Sequence, residues 1–212
     1  MAEENKSSFI GMLLSDVAAS QERHEAHSNQ QAKRDLIRTL FAAIEGSAWF
    51  YKEHIQALAE TTDMIEADEV LALSEVTLTV DKAGKLHSHP RFLTTTASVR
   101  LVSRIAHRIA PDHQINFGGG EWSLFQEAIE VRNRLTHPKD LSDLILSEEQ
   151  TVTCTNAFYW FLEETTHSIE AATRAARSYI DSIEHELSDF KTRNSEAIKA
   201  YQQAKRRLDD SD

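Results

Sequence analysis

The residues best suited to chemistry lie in the segment RNRLTH, residues 132–137. His137 offers an imidazole, the side chain that gains and loses a proton near neutral pH. Arg132 offers a permanently charged, forked guanidinium that stabilises negative charge as it gathers on phosphate oxygens. Together they suit attack by a ribose 2′-hydroxyl on its adjacent phosphate, through a phosphorane-like transition state. One imidazole does not easily act as base and acid at opposite ends of an in-line displacement, so two copies of the segment at one cleft suit the chemistry better than one. Around this pair, Asn133 is a candidate to orient the Arg, the His or a phosphate, and Thr136 to position the imidazole. Arg134 and Lys139 are candidates to hold flanking phosphates.

Spacing alone does not single the segment out. Three Arg–His pairs in the chain have four to six residues between them: Arg132 with His137, Arg100 with His107, and Arg108 with His113. The first differs in its setting, with Asn133 directly after the Arg, an amphipathic stretch before it and Pro138 directly after the His. In that setting EVRNRLTHPK resembles the HEPN family, small all-helical domains found in ribonucleases, toxins and phage-defence proteins. The resemblance rests on the R-N-x-x-x-H residues and, more loosely, on the helical architecture. It implies that Arg132 and His137 are catalytic, that Asn133 is the family's polar residue after the Arg, and that two copies dimerise to cut RNA without metal. An antitoxin or defence partner is implied in the same way. Some members carry a Tyr two residues after the His, used for control by nucleotide transfer; Lys139 stands there in this chain.

RNA needs cationic surface, and the composition does not supply it globally. The 34 acidic and 23 basic residues leave a net charge of -11, which works against indiscriminate binding to nucleic acid or membranes. Yet no acidic residue lies between Asp81 and Asp112, and Arg100, Arg104 and Arg108 stand at i, i+4 and i+8 on one helical face. Such a stripe suits phosphates along a backbone. It also suits an ordinary solvated face paired with Glu66, Asp68 and Glu69.

The elements that must carry these residues are helical. Six Gly and three Pro leave few breaks, and apolar residues recur at helical spacing. The spacing predicts helices over about 9–27 and 33–59, the second with Leu36, Leu40, Ile44, Ala48, Tyr51, Ile55 and Leu58 facing the core. Helices follow over 98–110, closed by Pro111, and over 121–135, burying Trp122, Phe125, Ile129 and Leu135. Ser147 and Gln150 read as a capping box for the last long helix, whose AFYWFL start belongs in the core, as does Trp49. EVTLTVDKAGKLHSH is the one candidate β-hairpin. Beyond Ala175 the spacing turns heptad-like through Ile180, Ile183, Leu187, Phe190, Asn194, Ala197, Tyr201, Ala204 and Leu208. It fits a helix packed on its own domain, or one that projects and pairs with a second copy, Asn194 setting the register.

Other signals carry less. His24 and His27 lie one turn apart without a third ligand and read as exposed. Glu164 and His167 match half of a di-iron pattern with no second half. His87 and His89 read as exposed hairpin histidines. The glycines at 118–120 lack the Lys and Ser/Thr of a phosphate loop and read as a hinge. Cys154 is alone, so neither a disulfide framework nor a cysteine zinc cluster is expected. The N-terminal stretch MAEENKSSFIGMLLSDVAAS shows no clear cleavage pattern and no run long enough to span a bilayer, pointing to a cytoplasmic protein.

The sequence reading is thus an all-α helical bundle of HEPN type with a long C-terminal helix and one short β-hairpin. It divides into an N-terminal helical segment (1–30), the bundle (31–175) and a C-terminal extension (176–212). The expected function is endoribonuclease, with RNA and a second copy as partners, no cofactor and no metal. The alternative is a non-catalytic bundle serving as a protein-interaction or RNA-binding module.

Overall fold

The structure, a computed structural model, describes residues 2–193 together with 198, 199, 201 and 203. It is mostly helical. Helices α1 (Ala2–Ala26) and α2 (Gln30–Thr61) precede a short α3 (Ala67–Leu73) and an antiparallel hairpin of β1 (Val76–Val80) and β2 (Leu86–Pro90). Then come α4 (Thr95–Ile109), α5 (Gly120–Thr136), a 3₁₀ turn (Leu141–Leu144) and the long α6 (Glu148–Arg193). Among the described residues no helix is long and apolar enough to cross a membrane.

Two helices, α2 and α6, form the spine, and two core clusters sit along it. In the first, Leu36, Leu40 and Ile44 of α2 meet Phe125 and Leu135 of α5 and Phe158 and Phe161 of α6. Phe125 of α5 stacks on Phe161 of α6, centroids 5.2 Å apart, and on Trp122 of its own helix at 5.4 Å, each pair adding about 0.5–1.5 kcal/mol beyond area burial. In the second, Tyr51, Ile55 and Ala59 of α2 meet Val102, Ile105 and Ile109 of α4, with Leu73 of α3 and Ala172 and Ala176 of α6. The apolar stripe expected of α2 is therefore the face on which both clusters are built. Helix α1 lies against α2 where Gly46 offers no side chain; a Cβ there would collide with Leu13.

Local chemistry sets the boundaries. Asn29 caps α2 by accepting from Ala32 N at 3.0 Å. Thr94 caps α4 by accepting from Ala97 N at 3.2 Å. The Ser147–Gln150 capping box forms as expected, with both reciprocal bonds at 3.1 Å, and starts α6. The hairpin pairs Val76 with Pro90 through Val80 with Leu86. Gly84, at φ +78°, makes its turn, and the Asp81 carboxylate accepts from both Ala83 N and Lys85 N at 2.9 Å. At its base Glu75, at φ +54°, accepts from Arg91 N through its carbonyl and from Leu93 N through its carboxylate.

Some placements differ from the sequence reading. Trp49 is 42 % exposed and packs edge-on against Phe9 rather than entering the core. In AFYWFL, Phe158 and Phe161 are buried, but Tyr159 is 51 % exposed, because a helix wide enough to touch two neighbours still leaves a third face to solvent. His24 is not exposed: its side chain is tucked to 13 % against α6, with Nε2 3.9 Å from Glu148.

Candidate functional site

The RNRLTH segment is the last turn and a half of α5. Pro138 has no N–H to continue the ladder and restricts the residue before it, so the helix ends with His137 as its C-cap at φ -126°, ψ 59°. The His137 N–H still donates to Asn133 O at 2.9 Å, while its ring stands in solvent.

Arg132 points the other way, onto α2. Its Nη2 donates to the Glu45 carboxylate and its Nη1 to Asn133 Oδ1 at 3.1 Å. The guanidinium is thus held on two sides, with 30 % of the side chain still exposed. It borders a cavity of about 390 Å³ lined by Phe41, Ile44, Glu45, Ile129, Asn133 and the segment from Leu93 to Thr96 at the start of α4. A smaller hollow of about 140 Å³, lined in part by Arg38, Glu45 and Thr136, lies on its other side. Of the contacts expected for Asn133, the one to the Arg is present. The Thr136 hydroxyl donates to Arg132 O at 2.9 Å. Among the described residues no hydrogen bond links the His137 ring to Arg132.

Glu45 is the residue sequence reasoning missed. It lies 87 positions before Arg132, in a helix whose recognisable signal is its apolar stripe, and an exposed-face carboxylate there has no local signature. The threonines at 94–96 are equally silent, since their position is set by where α4 begins.

The arginine stripe is arranged for structure. Arg108 places both arms on Glu69, with Nη1 to Oε2 and Nη2 to Oε1 each at 2.8 Å, and also donates to Met64 O at 3.0 Å. Arg104 reaches the same carboxylate at 3.1 Å. The Glu69 side chain is only 4 % exposed, and the Arg108 guanidinium, foremost among its partners, holds its carboxyl down to about 2. Arg100 lies over the rings of Phe117 and Trp122, 5.2 and 5.1 Å from their centroids, a cation–π contact. Two of the three arginines of the stripe therefore share one carboxylate of α3, and none of the three lines the cavities beside Arg132. Arg134 turns inward, with Nε and Nη2 enclosed and without a hydrogen-bond partner among the described residues. Lys139 is exposed after the helix end, its backbone N–H on Asp143 Oδ2 at 2.8 Å.

The other polar groups singled out in the sequence are accounted for individually. Burial pushes the Cys154 thiol up to about 12, so it stays protonated and is a poor nucleophile. His87 pairs with Asp81 at 2.9 Å and His89 with Thr79 at 3.1 Å. Among the described residues no three His, Cys, Asp or Glu side chains group so as to hold a metal ion. Comparisons of this chain with protein-family models, with curated proteins and with solved structures give no match.

Proposed function

We propose that this protein is an endoribonuclease of the HEPN type, acting without metal through Arg132 and His137 of two copies of the chain. In this reading one His137 takes the proton from a ribose 2′-hydroxyl as O2′ bonds to phosphorus. A second His137 protonates the departing 5′-oxygen as its bond to phosphorus breaks. The products are a 2′,3′-cyclic phosphate and a 5′-hydroxyl. Arg132 stabilises the charge that builds on the phosphoryl oxygens between these events. The observation that carries the reading is the seating of Arg132: a guanidinium tied to Asn133 and Glu45 at the edge of a cavity is preoriented, so its charge acts with little reorganisation. His137, exposed one residue past the helix end, is accessible to a substrate. Lys139 serves as a flanking phosphate contact, while Arg104 and Arg108 stand on Glu69, away from the cavities beside Arg132.

That last point favours a second reading, a non-catalytic bundle that works by protein interaction, since Arg104 and Arg108 of the cationic stripe are engaged with the Glu69 carboxylate and Arg108 also has Glu66 within 4.0 Å. The two part on one experiment. Purified protein is incubated with mixed RNAs in EDTA beside Arg132→Ala and His137→Ala. Cleavage by the wild type that falls at least about a hundredfold in each variant supports the enzyme; an identical RNA pattern in all three removes it.

A further inference from the structure

The last part of α6 leaves the bundle. Ala176 is its final core residue, and every residue from 177 to 192 is exposed, a reach of about 24 Å at 1.5 Å per residue. Core packing no longer supports the helix there, which continues by propagation from the packed part. Its apolar residues nevertheless fall on a single seam: Ile180, Ile183 and Leu187 are 37, 38 and 52 % exposed, and Phe190 continues the spacing. All the other residues from 181 to 192 are polar. A seam this narrow, stepping by three and four, is the pattern of a helix that meets one partner helix rather than entering a core. The same spacing continues in the sequence through Asn194, Ala197, Tyr201, Ala204 and Leu208, of which only Tyr201 is among the described residues. From Ala176 the spacing runs through more than four heptads of sequence, the extent that marks a coiled-coil pattern.

Charge identifies the occupant and its direction. With Ile180 and Leu187 at a and Ile183 and Phe190 at d, Glu186 takes a g position and Lys191 the following e position. In a parallel pair of identical helices, g of one chain meets the following e of the other, so Glu186 meets Lys191 twice by symmetry. An antiparallel pair with Ile180 opposite Phe190 and Ile183 opposite Leu187 would instead set Glu184 beside Glu184, Glu186 beside Glu186 and Arg177 beside Lys191. Asn194 falls at an a position, where a polar residue fixes register and favours two strands.

We propose that the exposed seam of α6 is a parallel coiled-coil interface with α6 of a second copy of this chain, aligned by the Glu186–Lys191 pairs. The bundles then stand at the same end of the coil, with both RNRLTH segments on the same side of the arm. The proposal does not depend on RNA cleavage, and its test uses no RNA.

The test is the mass of the full chain by light scattering, with thermal unfolding of each variant as a control for the bundle. Wild type is expected at twice the 24.0 kDa of one chain. Ile183→Glu with Leu187→Glu is expected at one chain, with the bundle unfolding unchanged because both positions lie outside it. Lys191→Glu sets a second carboxylate against Glu186 in the parallel pair and is expected to weaken the dimer roughly tenfold; in the antiparallel pair it would tighten it. Ile183→Cys is expected to cross-link the dimer under mild oxidation. A monomeric wild type, a seam variant that stays dimeric, a tighter Lys191→Glu dimer or an Ile183→Cys variant that does not cross-link would each overturn the proposal.

Discussion

Arg132 of α5 donates to the Glu45 carboxylate of α2 while its other arm rests on Asn133. The pair links the segment with the most chemical potential to the helix that forms the spine of the bundle. It is partly open to solvent, Arg132 at 30 % and Glu45 at 47 %, so its value lies in orientation more than in stability, where such pairs contribute about 0–1 kcal/mol.

Replacing Glu45 by Ala should therefore separate the two effects. Thermal unfolding is expected to change little, by under about 1 kcal/mol. RNA cleavage is expected to fall by about 10- to 100-fold, because a loosened guanidinium no longer meets the reacting phosphate in register. Glu45→Gln, which keeps an acceptor, should recover part of the rate. Equal losses of stability and activity in Glu45→Ala would reduce the residue to a structural one.

The Glu69 cluster gives a pH signature. Its carboxyl is held at about 2 by the Arg108 guanidinium and further hydrogen bonds, against about 4.3 in an unfolded chain. A depressed folded value stabilises the protein above the unfolded value, and that stability drains away as pH falls from about 4.3 towards 2. The contribution near neutral pH is on the order of 3 kcal/mol. Glu69→Gln should therefore lower Tm by about 5–10 °C at pH 7, and the gap to wild type should close as the pH approaches 2. A gap constant across pH would locate the effect in packing rather than charge.

Tyr51 ties the three central helices together from inside. Its hydroxyl meets Ser103 of α4 at 3.2 Å and Ser168 of α6 at 2.8 Å, and burial raises its pKa. Tyr51→Phe leaves both serine hydroxyls short of a partner in the core, a loss of about 1–2 kcal/mol. Calorimetry should show a Tm lowered by about 2–6 °C; an unchanged Tm would mean that the two serines re-pair at no cost.

What the sequence makes legible follows from the range of each interaction. The helices are readable because periodicity and caps are local: the stripe of α2, the Ser147–Gln150 box and the stop at Pro138 involve residues within a turn or two. The hairpin is readable from β-branched residues flanking a turn. The arginine stripe stands out at the right spacing, but its occupant depends on Glu69, 39 residues before Arg108, and only the fold brings α3 there. The inward turn of Arg134 and the pairing of Arg132 with Glu45 are long-range in the same sense. The heptad pattern past residue 176 is legible too, yet whether that stretch packs in cis is decided by where the bundle ends.

The most direct test of the account is cleavage of RNA by purified protein in EDTA, with end-group analysis of the products. The account predicts 2′,3′-cyclic phosphate and 5′-hydroxyl ends, with rates at least about a hundredfold lower for His137→Ala and Arg132→Ala in variants that unfold like the wild type. Intact RNA in every reaction, or cleavage that survives both substitutions, would contradict it.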